Sequence, residues 1–382
     1  MSKRILIPTM PGDLHAYAVA EGLRRTGASP LVWHTSDFPH RRAETVRFTG
    51  PEVSVHIAEP GLDADSEPVD TVWNRRPVHR MDEEVLHPAD LEFADASCEA
   101  FRRALFQVLA PDAFWVNDDR AVRRNSKLVQ HHATLAVGLQ APDTVYTNDP
   151  AEIRDFLRRH GGKAVYKPLI SRCWWSGGGT YRATYTSIVH EGNLVADELL
   201  QAVPSIYQAL VPKAYELRVT VMGHHVVATR IRSQETQTGK LDWRKAYHEL
   251  VMEPYELPRS LAARCIALLD ALGLVFGCFD FVVTPDGEYV FLEVNQAGQF
   301  LFIEEATDEP LLAMFCDFLR ESRPDFTWTA PRHPLRLADI LPAVEAMHAD
   351  IAANHAPGPK YAYHEPQTSE ADVPSTDVAA AS

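Results

Sequence analysis

The sequence predicts an α+β protein with more than one domain, and its length, its opening pattern and its strand-rich second half carry that prediction. The 382 residues exceed a typical domain of ~150 residues about two and a half times. Residues 1–75 alternate short apolar runs with stretches of helical spacing, the pattern of an open sheet covered by helices. Residues 206–294 are dominated by strand-like runs around one long helical segment. Hydrophobic residues make up 46% and charged residues 23% of the chain, the balance of a protein that can build real cores.

The elements can be justified in order. Residues 4–10 read as a buried strand and 15–26 as a helix stopped by Gly27; 30–33 and 71–73 read as further strands. A helix over 91–109 ends before Pro111, a short strand covers 113–116, and a helix over 120–137 is closed by Gly138. A helix over 153–159 and a strand over 163–169 precede Ser176-Gly177-Gly178-Gly179, which is too flexible for a regular element. Strands are predicted at 206–211, 215–222, 226–231, 276–284 and 289–294, with helices at 258–272 and 309–320. Pro285-Asp286-Gly287 joins the last two strands as a hairpin turn. A helix is expected over 335–353, whereas 357–382 has too little apolar surface to order itself.

Charge and cysteine usage exclude several function classes. Lys and Arg total 37 against 52 Asp and Glu, a net charge of −15, which argues against nucleic acid as a partner. No window approaches the ~20 apolar residues of a membrane span. The five cysteines are scattered without a Cys-x-x-Cys pair, which disfavours a disulfide scaffold and points to a cytoplasmic setting. The phosphate-loop, His-Glu-x-x-His and Gly-x-Ser-x-Gly signatures are all missing.

One constellation does carry chemistry. Asp280 sits between Phe279 and Phe281 in an apolar strand, and Glu293 and Asn295 follow across the hairpin in Phe291-Leu292-Glu293-Val294-Asn295. Glu293 and Asn295 are two apart and project from one face, onto which the hairpin can fold Asp280. Two carboxylates and an amide oxygen are hard ligands suited to Mg²⁺ beside phosphate. Left unpaired among apolar neighbours, such carboxylates would be costly. Lys167, just before the glycine-rich loop, and Lys127, on the 120–137 helix, can add point charges for phosphate oxygens.

The order Lys127, Lys167, glycine loop, carboxylate hairpin resembles the ATP-grasp superfamily. The resemblance implies an ATP-grasp fold, two α+β subdomains clasping ATP, behind an N-terminal α/β pre-ATP-grasp domain. It implies Lys127 and Lys167 as phosphate lysines, Ser176, Gly177, Gly178 and Gly179 as a mobile lid, and Gln208, Ala209 and Leu210 as the adenine-reading hinge. Glu216 would grip the ribose, and Asp280, Glu293 and Asn295 would hold magnesium, with two Mg²⁺ ions expected. The segments Glu216-Leu217-Arg218-Val219-Thr220-Val221, Ile231-Arg232-Ser233-Gln234, Asp242-Trp243-Arg244 and Phe291-Leu292-Glu293-Val294-Asn295-Gln296-Ala297-Gly298-Gln299 are more narrowly similar to the microviridin-type ligases, or graspetide synthetases. Trp73-Asn74-Arg75-Arg76-Pro77 and Ser36-Asp37-Phe38-Pro39 resemble their N-terminal domain. Gln296 departs from the proline common after the asparagine, and the chain beyond about Arg323 extends past the family's usual end.

That resemblance implies an enzyme that activates a side-chain carboxylate of a ribosomally made precursor peptide with ATP and closes an ester or amide crosslink. The alternatives are a ligase for free amino acids or small metabolites, and a non-catalytic nucleotide-binding scaffold. Arg218 and Arg244 are the candidates to hold the phosphoryl group and substrate carboxylate, with Arg230 as a further candidate, since a guanidinium fork matches both groups. The expected domains are 1–115 (N-terminal), 116–200 (central and lid), 201–325 (C-terminal, with the metal site), 326–356 (helical extension) and 357–382 (tail). A homodimer is expected from the resemblance.

Overall fold

The computed structural model describes residues 2–59, 68–81, 85–169, 173–175, 181–183, 186–236, 239, 243 and 249–356. Ser176, Gly177, Gly178, Gly179, Arg244 and the tail over 357–382 lie outside them.

The N-terminal part comprises β1 (Arg4–Thr9), α1 (Leu14–Arg25), β2 (Ser29–His34), a hairpin of β3 (Glu44–Thr49) and β4 (Glu52–Ile57), β5 (Thr71–Trp73), α2 (Leu91–Val108) and β6 (Phe114–Val116). Four of these strands form a parallel sheet in the order β2-β1-β5-β6. Ile5, Leu6 and Ile7 of β1 are all buried, as a central parallel strand covered on both faces requires. The β3–β4 hairpin was not legible in the sequence: only Val55 and Ile57 of its seven β-branched or aromatic positions are fully buried, so its apolar pattern is diluted by exposed residues such as Phe48.

The predicted helix over 120–137 is two helices, α3 (Asp119–Arg124) and α4 (Lys127–Val137). The Asn125-Ser126 pair breaks it because both side chains find better backbone partners than a continuing helix offers. Asn125 Nδ2 donates to the Leu272 carbonyl at 2.6 Å, and Ser126 caps α4 by accepting from Val129 N at 3.4 Å. Lys127 therefore opens a helix instead of sitting within one.

The central unit runs through β7 (Thr144–Thr147), α5 (Pro150–Arg159), β8 (Lys163–Pro168), the short pair β9 (Cys173–Trp175) and β10 (Tyr181–Ala183), β11 (Ser187–His190), α6 (Asp197–Ala202) and β12 (Ser205–Gln208). Its antiparallel sheet has the order β11-β8-β12-β7. Ile153, Phe156 and Leu157 of α5 pack on Ala164 and Tyr207 of that sheet.

The C-terminal unit contains β13 (Tyr215–Met222), β14 (His225–Ile231), β15 (Met252–Tyr255), α7 (Arg259–Leu272), β16 (Phe276–Val283) and β17 (Tyr289–Asn295). These strands form an antiparallel sheet, β15-β14-β13-β16-β17. One face, with Leu217, Val219, Val221, Phe279, Phe281 and Phe291, buries against Cys265, Leu268, Leu269 and Leu272 of α7. At one end of the other face, Met222, Phe276 and Cys278 join a core built with α1, α8 (Leu301–Thr307) and α9 (Leu311–Glu321). The extension α10 (Leu337–Asn354) lies on the same core through Leu337, Ile340, Val344 and Ile351.

A buried amide helps join the N-terminal sheet to this unit. Asn117, just after β6, accepts from Val275 N and Phe276 N at 2.8 and 3.0 Å, and donates to the carbonyls of Phe276 and Gln296, both at 2.9 Å. Asn117 is 1% exposed, so removing its side chain would strand backbone groups away from water. Asn117→Ala should lower unfolding stability by about 2–4 kcal/mol. The check is a urea midpoint shifted down with an unchanged denaturant slope.

Candidate active site

The site is built on the β16–β17 hairpin. Asp280 pairs directly with Glu293, and Cys278 with Asn295, so Asp280, Glu293 and Asn295 share one face. The register shifts between Asp280 and Phe281, so that Phe281 pairs with Phe291 and Leu292 is the extra residue. Without that bulge, Phe291 and Glu293 would point the same way. With it, Phe291 faces the helix-covered core while Glu293 faces the opposite side.

Arg218 of β13 lies opposite Asp280. Its Nη1 donates to Asp280 Oδ1 at 2.8 Å and its Nη2 to the Gln299 carbonyl at 2.8 Å. Burial alone would pull the Arg218 pKa down, but the Asp280 carboxylate more than offsets it and raises it. Gly298 makes this approach possible: a Cβ there would stand 2.5 Å from Cys278 Cβ and 3.0 Å from Arg218 Nη2. Glu216, two residues before Arg218 and on the same face, is buried and accepts from Lys213 Nζ at 3.0 Å. Burial pushes its carboxyl above the usual range, although Lys213 pulls the other way.

Lys127, at the first turn of α4, places Nζ 3.7 Å from Glu293 Oε2. Lys167 on β8 donates to Gln208 Oε1 at 2.8 Å, and Gln208 donates in turn to Thr144 Oγ1 at 3.0 Å. A cleft between the two sheets brings together Lys127, Lys167, Gln208 and Glu293, with Tyr146, Ile206 and Leu292 as apolar walls. His131 lines it as well, and burial, reinforced by the charge on Lys167, lowers its pKa.

Three candidates stand apart from this arrangement. Ala209 gives its N–H to the Asp143 carbonyl at 2.8 Å and Leu210 is exposed; neither lines the cleft. Arg230 pairs with Leu217 across the sheet, so it projects from the opposite face to Arg218. There it stacks over Tyr215 and Tyr255, at 4.5 and 5.0 Å from the ring centroids, and pairs with Glu253 at 3.0 Å. The expectation of a catalytic Arg230 is corrected accordingly: strand alternation carries it away from the carboxylate face.

The structure also gives contacts to residues that the motif reading quoted without a role at the site, Arg75 and Gln296, and to His15, which it left unassigned. Arg75 at the end of the N-terminal sheet is 1% exposed, pairs with Asp13 at 2.9 Å and donates to the Ala297 carbonyl. His15 Nε2 accepts from Phe300 N and Leu301 N at 3.1 and 3.0 Å. Gln296, in the place of the family's proline, donates to the Asn125 carbonyl at 3.0 Å, beside the start of α4. These side chains grip the loop that follows the carboxylate hairpin from three directions.

Burial, then the charge of Arg75, lowers the His15 pKa from 6.5 to about 3, which suits a ring that accepts two backbone N–H groups. A depressed folded-state value means that His15 contributes stability in full above pH 6.5, and that this is lost as pH falls toward about 3. His15→Gln keeps an acceptor and removes the titration. Its urea midpoint should therefore fall less steeply than wild type between pH 6.5 and 3.

Two α+β units facing each other across a cleft lined by Lys127, Lys167 and Glu293 define an ATP-grasp fold. Comparison with solved structures agrees. The chain is similar to a Chryseobacterium gregarium RiPP-associated ATP-grasp ligase in complex with ADP and a leader and core peptide, at 25% identity and a TM-score of 0.73, covering 85% of this chain and 98% of that one. It is similar to macrocyclase MdnC of Microcystis aeruginosa, bound with precursor peptide MdnA, at 26% identity and a TM-score of 0.71, covering 83% and 98%. Macrocyclase MdnB of the same organism matches at 28% identity and a TM-score of 0.67, covering 83% and 99%. No protein-family model matches the chain, and no curated sequence matches it.

Proposed function

We propose that this protein is an ATP-dependent ligase that crosslinks side chains within a ribosomally made precursor peptide. The observation that carries the reading is the sheet face shared by Asp280, Glu293 and Asn295, from which Glu293 enters a cleft that Lys127 and Lys167 also line, in a fold common to peptide-bound ATP-grasp ligases.

The donor set fits magnesium. Two carboxylates and an amide oxygen are hard ligands at positions brought together by register, and they would hold Mg²⁺ beside phosphate oxygens. Bound there, Mg²⁺ neutralises phosphate charge and polarises the γ-phosphoryl group. We assign two ions to the site on the family resemblance.

The chain's own residues supply position and charge. Lys127 and Lys167 hold phosphate oxygens, and Gln208 orients Lys167. Glu216 is placed to accept from the ribose hydroxyls. Arg218 fixes Asp280 and brings positive charge to the reacting end, with Arg244 assigned to the substrate carboxylate and Ser176, Gly177, Gly178 and Gly179 to the lid. A substrate carboxylate oxygen attacks the γ-phosphorus, and ADP leaves with the bridging oxygen. A side-chain hydroxyl or amine then attacks the acyl carbon and phosphate departs, giving an ester or an amide. The assembly we assign is a homodimer. Among the described residues no helix is long and apolar enough to cross a membrane.

Glu293→Gln and Asn295→Ala should each abolish ATP turnover while circular dichroism and melting temperature stay near wild type, since Glu293 is half-buried and Asn295 exposed. Wild-type turnover in either variant would remove the metal assignment.

Intact-mass analysis tests the substrate. Incubated with ATP and Mg²⁺, an acidic and Ser/Thr/Lys-rich precursor encoded beside the gene should lose about one water (~18 Da) and yield one ADP per ring. A product that instead gains the mass of a free amino acid less water would identify a small-molecule ligase. AMP formation would overturn the ATP-grasp mechanism itself.

A further inference from the structure

The end of α10 drops into the N-terminal sheet, far along the chain from the residues it meets. Ala356 N donates to Asp37 Oδ1 at 2.7 Å, and Ser36 Oγ donates to the Ala356 carbonyl at 3.1 Å. His355 Nδ1 lies 2.7 Å from Asp37 Oδ2. A carboxylate only accepts, so Nδ1 carries a proton and Nε2 is the ring atom open to a ligand.

His34, the last residue of β2, stacks against His355 with ring centroids 3.9 Å apart. Its Nδ1 is 3.2 Å from Glu59 Oε1. His34 and Glu59 are 4% and 8% exposed, yet His34 Nε2 and Glu59 Oε2 make no hydrogen bond. Arg42 is the nearby cation, with Nε 2.8 Å from Asp37 Oδ2 and Nη1 3.5 Å from Glu59 Oε2. Two buried carboxylates against one guanidinium leave a negative charge to be balanced.

We propose that His34, Glu59 and His355 bind a divalent cation of the zinc class, which staples the C-terminal extension to the N-terminal sheet. One ligand atom from each lies within 4.8 Å of the others. Asp37 on the far nitrogen of His355 is the orienting carboxylate that zinc-bound histidines characteristically carry. Imidazole donors also separate this site from the all-oxygen set at Asp280, Glu293 and Asn295, since they favour zinc, cobalt or nickel over magnesium.

The test uses the full chain, stripped of metal with chelator and titrated with ZnCl₂ by calorimetry, with Co²⁺ absorption as a second readout. Wild type should bind one equivalent, with a raised melting temperature and the visible band of four-coordinate Co²⁺. His355→Gln and His34→Gln should lose the binding, the band and the zinc-dependent rise in melting temperature; Glu293→Gln should keep all three. His355 follows the last helix and is only partly buried, so its variant carries the test if His34→Gln fails to fold. No saturable binding by wild type, or binding that His355→Gln retains, would overturn the proposal. So would binding lost only in Glu293→Gln.

Discussion

Leu292 is the extra residue in β17, and the working geometry of the cleft depends on it. The chain must send Phe291 into the helix-covered core and Glu293 to the opposite face, although the two are separated by a single residue. A regular strand cannot do that, because its side chains alternate with period two. The bulge resets the phase. Glu293 and Asn295 then stand across from Asp280 and Cys278, and Arg218 reaches Asp280 from the next strand.

Holding that arrangement needs the loop after β17 to be rigid, and the rest of the molecule is organised around it. Arg75 and His15 bind it from the N-terminal sheet and α1, Asn117 from the end of β6, and Gln296 ties it to the α3–α4 junction. Burying the Arg75–Asp13 and Arg218–Asp280 pairs is expensive in desolvation, and such pairs are often no more stable than apolar replacements. What they secure is orientation: each guanidinium spans a carboxylate and a backbone carbonyl, fixing two chain segments in one geometry.

The break at Asn125-Ser126 belongs to the same logic. A continuous helix from 119 to 137 would have placed Lys127 by helical phase alone. Capping at Ser126 restarts the helix with Lys127 at its first turn, beside Glu293 and across the cleft from Lys167 and Gln208. Gln296, which donates to the Asn125 carbonyl, links that restart to the end of β17, so the lysine and the carboxylates share one support.

What the sequence determined by itself is the part written in short-range pattern. Strands β1, β5, β13, β14, β16 and β17 and helices α1, α2, α5, α7 and α10 follow from hydrophobic period and turn residues, which act within a few residues. That Asp280, Glu293 and Asn295 share a face was legible because polar residues amid phenylalanines are conspicuous on either side of a hairpin, and the α+β ATP-grasp fold followed from motif order. Tertiary structure decided the rest. The bulge at Leu292, the opposite facing of Arg230, the turning of Ala209 toward Asp143 and the use of Asp13, His15, Arg75 and Asn117 all depend on partners distant in the chain. A buried polar residue is recognisable only once its partner is known, because the free energy that places it belongs to the pair and neither local sequence encodes it.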